Sequence, residues 1–370
     1  MNEIFPVNNV GIVTARDHFA IDKEVYPLKN RIRQFRDLKV DDDIMRDGFG
    51  LKDTSTFKLK KFRQELSKVK DWEDYILPIC YRPFDKRYIY YSKWVLERPI
   101  YDTMKHMIKV ENNLALNINR QVKTSPSWCH AFVSDTLTEA CYNSNRTSEI
   151  CYIHPLYVLP NNGNGGNGDL FNAANHDPEP NIVENIYEKL KENYGSRLKP
   201  EQIFYYIYAV LYSNAYREKY ADFLKIDFPR IPFTADTSLF QQLAKLGENL
   251  SELHLLKHSS LNKSITKFKG KGDDDSIVKP TYSEEEERVY INDEKYFDNI
   301  SSDIWNYHIG CYQVMEKYLK DRKGKEMEAP SHYCQIATCI SKTIEVQEMI
   351  DGLFSKAELF STLIMCFIVS

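Results

Sequence analysis

The feature that most constrains this chain is a run of asparagine and glycine at residues 161–168, NNGNGGNG. It holds four glycines and no apolar side chain, so it can bury almost nothing and reads as loop or linker. The hydrophobic period changes across it. Before the run, residues 88–91 (YIYY), 113–118, 131–133 and 150–159 read as strands, the last ending at Pro160. One helix interrupts them after Pro99, with Met104, Met107 and Ile108 on one side. After the run, Ile182, Ile186, Tyr187 and Leu190 make an amphipathic helical face. Pro200 then opens a helix at 203–211, apolar enough to be buried all round. A third helix, 216–224, stops before Pro229-Arg230-Ile231-Pro232, and leucines at 239, 243, 246, 250 and 253 mark a fourth. Short strands at 265–268, 277–278 and 288–291 surround a Lys269-Gly270-Lys271-Gly272 turn, and helices return at 304–319 and 332–350.

Residues 1–75 add a short strand at 10–14 and a helix with apolar residues at 25, 28, 32, 35 and 38. Asp41-Asp42-Asp43 then forms the start of a helix over 44–49. The expected fold class is α+β, a strand-rich lobe packed beside a mainly helical lobe. The expected division is a connector and start of the recognition region at 1–75, the strand-rich recognition lobe at 76–160 and an Asn/Gly-rich linker at 161–180. A helical lobe at 181–350, with a small hairpin near 265–291, and a divergent tail at 351–370 complete it.

Net charge over the 370 residues is −4, yet its distribution is uneven. Residues 29–135 carry 22 Lys and Arg against 15 Asp and Glu, whereas residues 136–370 carry 25 against 34. Any anion-binding face therefore belongs to the amino-terminal half. The eight cysteines include no CxxC pair. Cys151 with His154, and Cys334 with Cys339, have ligand-like spacing but no second pair to complete a zinc site. The first residues lack the charged leader and apolar core of a signal peptide, and the apolar stretch at 359–369 is about half a membrane span. A cytoplasmic protein without membrane contact is expected.

Familiar catalytic motifs are missing. There is no GxxxxGK[ST] loop, no GxGxxG that directly follows a strand, no GxSxG elbow, no HExxH pair and no Asn/Asp-Pro-Pro-aromatic tetrapeptide. With only 14 glycines, a glycine-rich nucleotide fold is disfavoured. A binding or specificity role is favoured over an active site, and no catalytic, metal or cofactor-binding residue is assigned.

The densest cluster of polar recognition groups is YRPFDKRYIYY at 81–91, three cations and five aromatics in eleven residues. Arg98, Lys105, Arg120, Gln121 and Lys123 follow. Arginine and glutamine read base edges through paired hydrogen bonds, and lysines neutralise phosphates. Arg82, Arg87, Arg98, Lys105, Arg120, Gln121 and Lys123 are therefore the candidate DNA-binding residues. Arg120 and Gln121, between an apolar strand and a polar loop, are the best placed. Each cluster also has a plainer reading. Phe84, Tyr88, Tyr90 and the tyrosines at 205, 206, 208 and 212 read as core, and His254 as a packed histidine. Arg82 and Asp85 read equally well as an internal ion pair holding a turn, and Lys320, Arg322, Lys323 and Lys325 as a solvated helix end.

The order YRPFDKRYIYY, LERP, NINRQ and IHPLYVLP resembles the target-recognition, or specificity, C-terminal region of type ISP restriction–modification enzymes and their type IIG relatives. IFYYIYAVLYSNAYREKYADFLKIDFPRIPF, LAKLGENLSELHLL and WNYHIGCYQVMEKYLKDRKGK continue the resemblance in the same order, over about residues 5–350. The resemblance implies a domain that binds duplex DNA and helps present an adenine to an upstream methyltransferase domain of the parent polypeptide. S-adenosylmethionine would bind in that upstream domain and not here. The alternative is an interdomain scaffold of the same enzyme with little DNA affinity of its own. Two positions depart from the pattern: Cys311 stands where relatives usually carry glycine, and Tyr318 where tryptophan is usual.

Overall fold

The computed structural model describes residues 1–123, 125, 127–146, 149–160, 177–356 and 363–364. The expected Asn/Gly linker at 161–168, and most of the expected tail, lie outside these. Strand pairing starts near the amino terminus, where β1 (Asn9–Val10), α1 (Asp17–Ala20) and β2 (Ile21–Asp22) precede α2 (Val25–Arg36), α3 (Asp42–Phe49) and α4 (Leu59–Ser67). Leu28, Ile32 and Phe35 of α2 are buried, as their spacing demands. The Asp41 carboxylate accepts the Asp43 N–H at the start of α3, and Gly50 ends it at φ 59°. Next come β3 (Ile76–Arg82), β4 (Asp85–Tyr90), α5 (Tyr101–Lys109), β5 (Ala115–Asn119), β6 (Ala131–Ser134), β7 (Leu137–Thr138), β8 (Cys151–Pro155) and β9 (Tyr157–Val158).

These strands make two four-stranded sheets, β1-β8-β5-β6 and β2-β4-β3-β7. All pairs are antiparallel except β3–β7. Within residues 1–75, β1 pairs with β8 (Asn9↔Ile153) and β2 with β4 (Ile21↔Ile89), so both sheets of the strand lobe begin in this segment. All five residues of the inner strand β5 are buried. Both of its faces are covered, so its sequence does not alternate cleanly.

β10 (Glu179–Pro180) pairs back onto β9, and the helical lobe follows. It contains α6 (Glu184–Tyr194), α7 (Pro200–Tyr212), α8 (Asn214–Lys219), α9 (Ala221–Ile226), β11 (Phe233–Thr234) and α10 (Thr237–His254). A small antiparallel sheet is built from β12 (Phe268–Gly270), β13 (Thr281–Ser283), β14 (Arg288–Tyr290) and β15 (Lys295–Phe297). The chain then runs through α11 (Ser302–Trp305), β16 (His308–Ile309), β17 (Tyr312–Gln313), α12 (Val314–Lys320) and α13 (Pro330–Lys356). The fold is α+β.

Two helices expected to be continuous are broken. The one at 216–224 turns at Tyr220, whose φ of −110° and ψ of 18° separate α8 from α9. The one at 304–319 is interrupted by the β16–β17 hairpin, which reverses at Gly310 with φ 59°. Tyr206, Tyr208 and Tyr212 are buried, and the Tyr212 hydroxyl crosses to the strand lobe to donate to the Ala131 carbonyl at 3.0 Å. His254 is core: its Nδ1 lies 2.7 Å from the Tyr208 hydroxyl and its Nε2 3.1 Å from Thr343 Oγ1. Among the described residues no helix is long and apolar enough to cross a membrane.

Candidate nucleic-acid interface

The cation-rich β3–β4 hairpin turns its two arginines inward and leaves Lys86 exposed. Arg82 donates to Glu139 Oε2 at 2.5 Å, and the two side chains are 13% and 6% exposed. Asp85 is held from two sides, by Arg87 at 2.7 Å and by Arg322 at 3.2 Å. Burial alone would raise the Asp85 carboxyl, but the two guanidiniums hold it below its ordinary value. Arg322 also stacks on Tyr318, 3.5 Å from the ring centre. Three sequence expectations change here. Arg82 and Arg87 are internal ion-pair partners, because each is drawn to a buried carboxylate, and they present no free cation to a ligand. Asp85 does hold an internal ion pair, but with Arg87 and Arg322 instead of Arg82. Arg322 belongs to the core and not to a solvated helix end. Phe84 and Tyr90 are buried and Tyr88 half-buried, as core residues should be.

At the carboxy end of β5 the picture reverses. Arg120, Gln121 and Lys123 are exposed, while Val122 between them is buried. The segment is anchored on both sides. The Val122 N–H donates to the Lys225 carbonyl at 3.0 Å, and Arg120 Nε lies 2.9 Å from Asp227 Oδ1 on the surface. The Lys123 N–H donates to Glu149 Oε1 at 2.9 Å. Glu149 is 1% exposed; its other carboxylate oxygen accepts from Ser144 Oγ at 2.9 Å, and its carbonyl accepts from the Asn119 amide. A buried carboxylate thus holds an exposed Arg-Gln-x-Lys row in one conformation. Glu149→Ala would leave the Lys123 N–H and the Ser144 hydroxyl without this acceptor, which should cost about 1–3 kcal/mol. Urea unfolding together with hydrogen exchange at Lys123 would measure both effects, and wild-type values for both would show that the carboxylate holds nothing.

The remaining candidates divide. The Arg98 backbone bridges Val13 in both directions, and the Gly11 N–H donates to the carbonyl of Cys151, the residue paired with Asn119. Exposed Arg98 therefore lies at the same end of the sheet as Arg120. Lys105 is half-buried on α5 beside His106, whose Nδ1 accepts the Leu159 N–H at 3.0 Å. That contact lies toward the opposite end of β5, so Lys105 is not brought to the Arg120 row. Sequence reasoning missed Glu149 and the 219–230 segment, which supplies exposed Lys219 and Arg230, half-buried Lys225 and the Asp227 partner. Tertiary contacts, the Val122–Lys225 bond and the Arg120–Asp227 pair, join that segment to residues 120–123, and no local pattern signals them. Cys151 and His154 are no metal pair in this fold. The His154 ring is turned toward the Leu116 carbonyl at 3.2 Å, and an odd separation puts the two on opposite faces of β8.

A hairpin from the helical lobe closes the back of this region. The Gly310 N–H donates to the Cys129 carbonyl at 2.8 Å and the Cys311 N–H to the Asn143 carbonyl at 2.9 Å. Cys129 Sγ returns to the Gly310 carbonyl at 3.3 Å, and the Tyr312 hydroxyl donates to the Cys141 carbonyl at 2.8 Å. A Cβ on Gly310 would sit 1.7 Å from the Asn143 oxygen, so only glycine allows this approach.

Among curated protein sequences nothing matches the chain. Solved structures share the fold, among them the following three. A nuclease-deletion mutant of the Type ISP restriction-modification enzyme LlaGI, in complex with a DNA substrate mimic, superposes with a TM-score of 0.64 at 20% identity, covering 94% of this chain and 28% of that one. The DrdV–DNA complex gives 0.67 at 19% identity, covering 93% and 36%. The ATP-dependent Type ISP restriction-modification enzyme LlaBIII bound to DNA gives 0.69 at 17% identity, covering 94% and 23%. This chain thus spans only about a quarter to a third of the length of the solved proteins it matches. A family model described as the Type ISP C-terminal specificity domain matches residues 3–348, and the chain belongs to that family.

Proposed function

We propose that this chain binds duplex DNA as the target-recognition domain of a restriction–modification enzyme, with the row Arg120-Gln121-Lys123 facing the groove. The observation that carries this reading is that row itself: two planar, bidentate hydrogen-bonding side chains and a cation, exposed and braced from behind by Glu149 and Lys225. Family membership supports it, as do three structural relatives, each solved in complex with DNA or a DNA mimic. In the parent enzyme the methylated base would be adenine, and S-adenosylmethionine and the methyl-transfer chemistry would reside in an upstream methyltransferase domain. Resemblance to type ISP and type IIG enzymes supports that part.

Arg120 begins paired with Asp227, which raises its already high pKa, so it meets DNA fully charged. On binding it would exchange a carboxylate for a base edge or phosphate. The test has two parts. Methylome sequencing of cells carrying the parent enzyme supplies the target, and anisotropy titrations of this chain on target and scrambled duplexes across a salt series supply the energetics. Arg120→Ala should cost about 1–3 kcal/mol of discrimination between the two duplexes. Lys123→Ala should weaken both alike and reduce the salt slope by about 1. A chain that shows no affinity for either duplex, but binds a separated methyltransferase domain at any salt, would instead be an interdomain scaffold.

A further inference from the structure

Beside the Arg120 row, α9 exposes two large apolar side chains. Phe223 is 68% and Ile226 64% exposed, whereas Leu224 between them is buried. Three residues apart on one helix, they share a face. The break at Tyr220 permits this, because it turns α9 away from the line of α8. The helix is fixed to the recognition row by the bond from the Val122 N–H to the Lys225 carbonyl and by the Arg120–Asp227 pair immediately after Ile226. Cations border the apolar pair: Lys219, Lys225 and Arg230 along the same segment, Arg120 and Lys123 across that bond. On α9 itself the acidic residue is Asp222.

We infer that Phe223 and Ile226 form a wedge that inserts between base steps of the duplex held by the Arg120 row. The inference rests on the DNA-binding reading above and adds a second kind of contact to it. An exposed apolar pair alone would fit a protein partner equally well. The excess of cations in and beside this segment favours the polyanion, and insertion gives the apolar pair a dry surface against unstacked bases. Side chains such as phenylalanine and isoleucine in this position unstack a step and bend the helix, widening the surface that flanking cations reach.

The experiment uses the whole chain and a duplex bearing the target found by methylome sequencing, with 2-aminopurine placed in turn at each position. Wild-type protein should raise 2-aminopurine emission at one or two adjacent positions, the mark of lost stacking. The double substitution Phe223→Ser, Ile226→Ser should abolish that signal and weaken binding about tenfold, as loss of an aromatic–base contact does. The salt slope should stay unchanged, because no cation is removed. Both replaced side chains are exposed, so an unchanged melting temperature serves as the folding control. If the variant binds the target as tightly as wild type and gives the same 2-aminopurine profile, the wedge is refuted while DNA recognition stands. If the wild-type chain binds no duplex at all, both readings fall together.

Discussion

Lowering the pH from 7 to 5 should remove most of the stability of this chain. Four histidines are buried in the neutral form, and burial is the leading cause in each: His106 and His130 are pushed down to about 4, His154 and His254 to about 3. On unfolding each ring regains a pKa near 6.5. Above that pH neither state binds the proton and nothing is lost. Below it the unfolded chain takes up protons that the folded chain refuses, so stability falls as pH falls. At pH 5 the loss is about 2 kcal/mol per ring. Four rings approach 8 kcal/mol, against a total of about 5–15 for a typical domain. Asp85 does not contribute in this window, because its lowered carboxyl stays charged in both states at pH 5. Glu139 acts the other way, since burial raises its carboxyl and proton uptake there favours the fold. Urea midpoints by circular dichroism at pH 7, 6 and 5 would measure the trend, and equal midpoints at pH 7 and 5 would contradict it.

The second large effect is expected at Gly247. This residue lies inside α10, where alanine is normally the better helix former by about 1 kcal/mol. Here a Cβ would fall 1.8 Å from the Tyr205 carbonyl oxygen and 2.6 Å from its carbon, both backbone atoms of α7. Neither can move without displacing a helix whose tyrosines build the core. Gly247→Ala should therefore destabilise by about 2–3 kcal/mol, reversing the sign that propensity alone gives. Gly352, on α13 with nothing within 4 Å of its Cβ position, is the internal control. Gly352→Ala should be neutral or slightly stabilising. Thermal melts of the two variants side by side decide the matter, and a Gly247→Ala protein that melts no lower than wild type would show that the helices separate at no cost.

Much of the fold was readable from period and punctuation. The 25–38 helix, the 203–211 buried helix and the leucine ladder from 239 all occupy their expected places, since each rests on an apolar stripe too long to be satisfied otherwise. Breaks were not readable. Tyr220 and Gly310 interrupt patterns that remain helical in period, because the interruption serves distant partners: residues 120–123 in one case, 129–145 in the other. The same limit applies to the candidate site. Arg120, Gln121 and Lys123 stand at a strand end, which sequence can indicate. Whether a cation faces water or a buried carboxylate depends on the fold, and Arg82 and Arg87, in the most conspicuous motif of the chain, face carboxylates.

The hairpin around Gly310 bears on how such a domain can change specificity by exchange of segments between relatives. The strand lobe ends in sequence at β9, yet its loops at Cys129, Cys141 and Asn143 have carbonyls capped from residues 310–312. A graft that carried only the first 160 residues into another member of the family would arrive with those carbonyls facing a foreign hairpin. Recombination breakpoints that preserve a working reader must therefore either carry the 307–314 hairpin with the strands or recur where the recipient's hairpin already fits. In this fold the strand lobe is completed by a hairpin that is discontinuous with it in sequence.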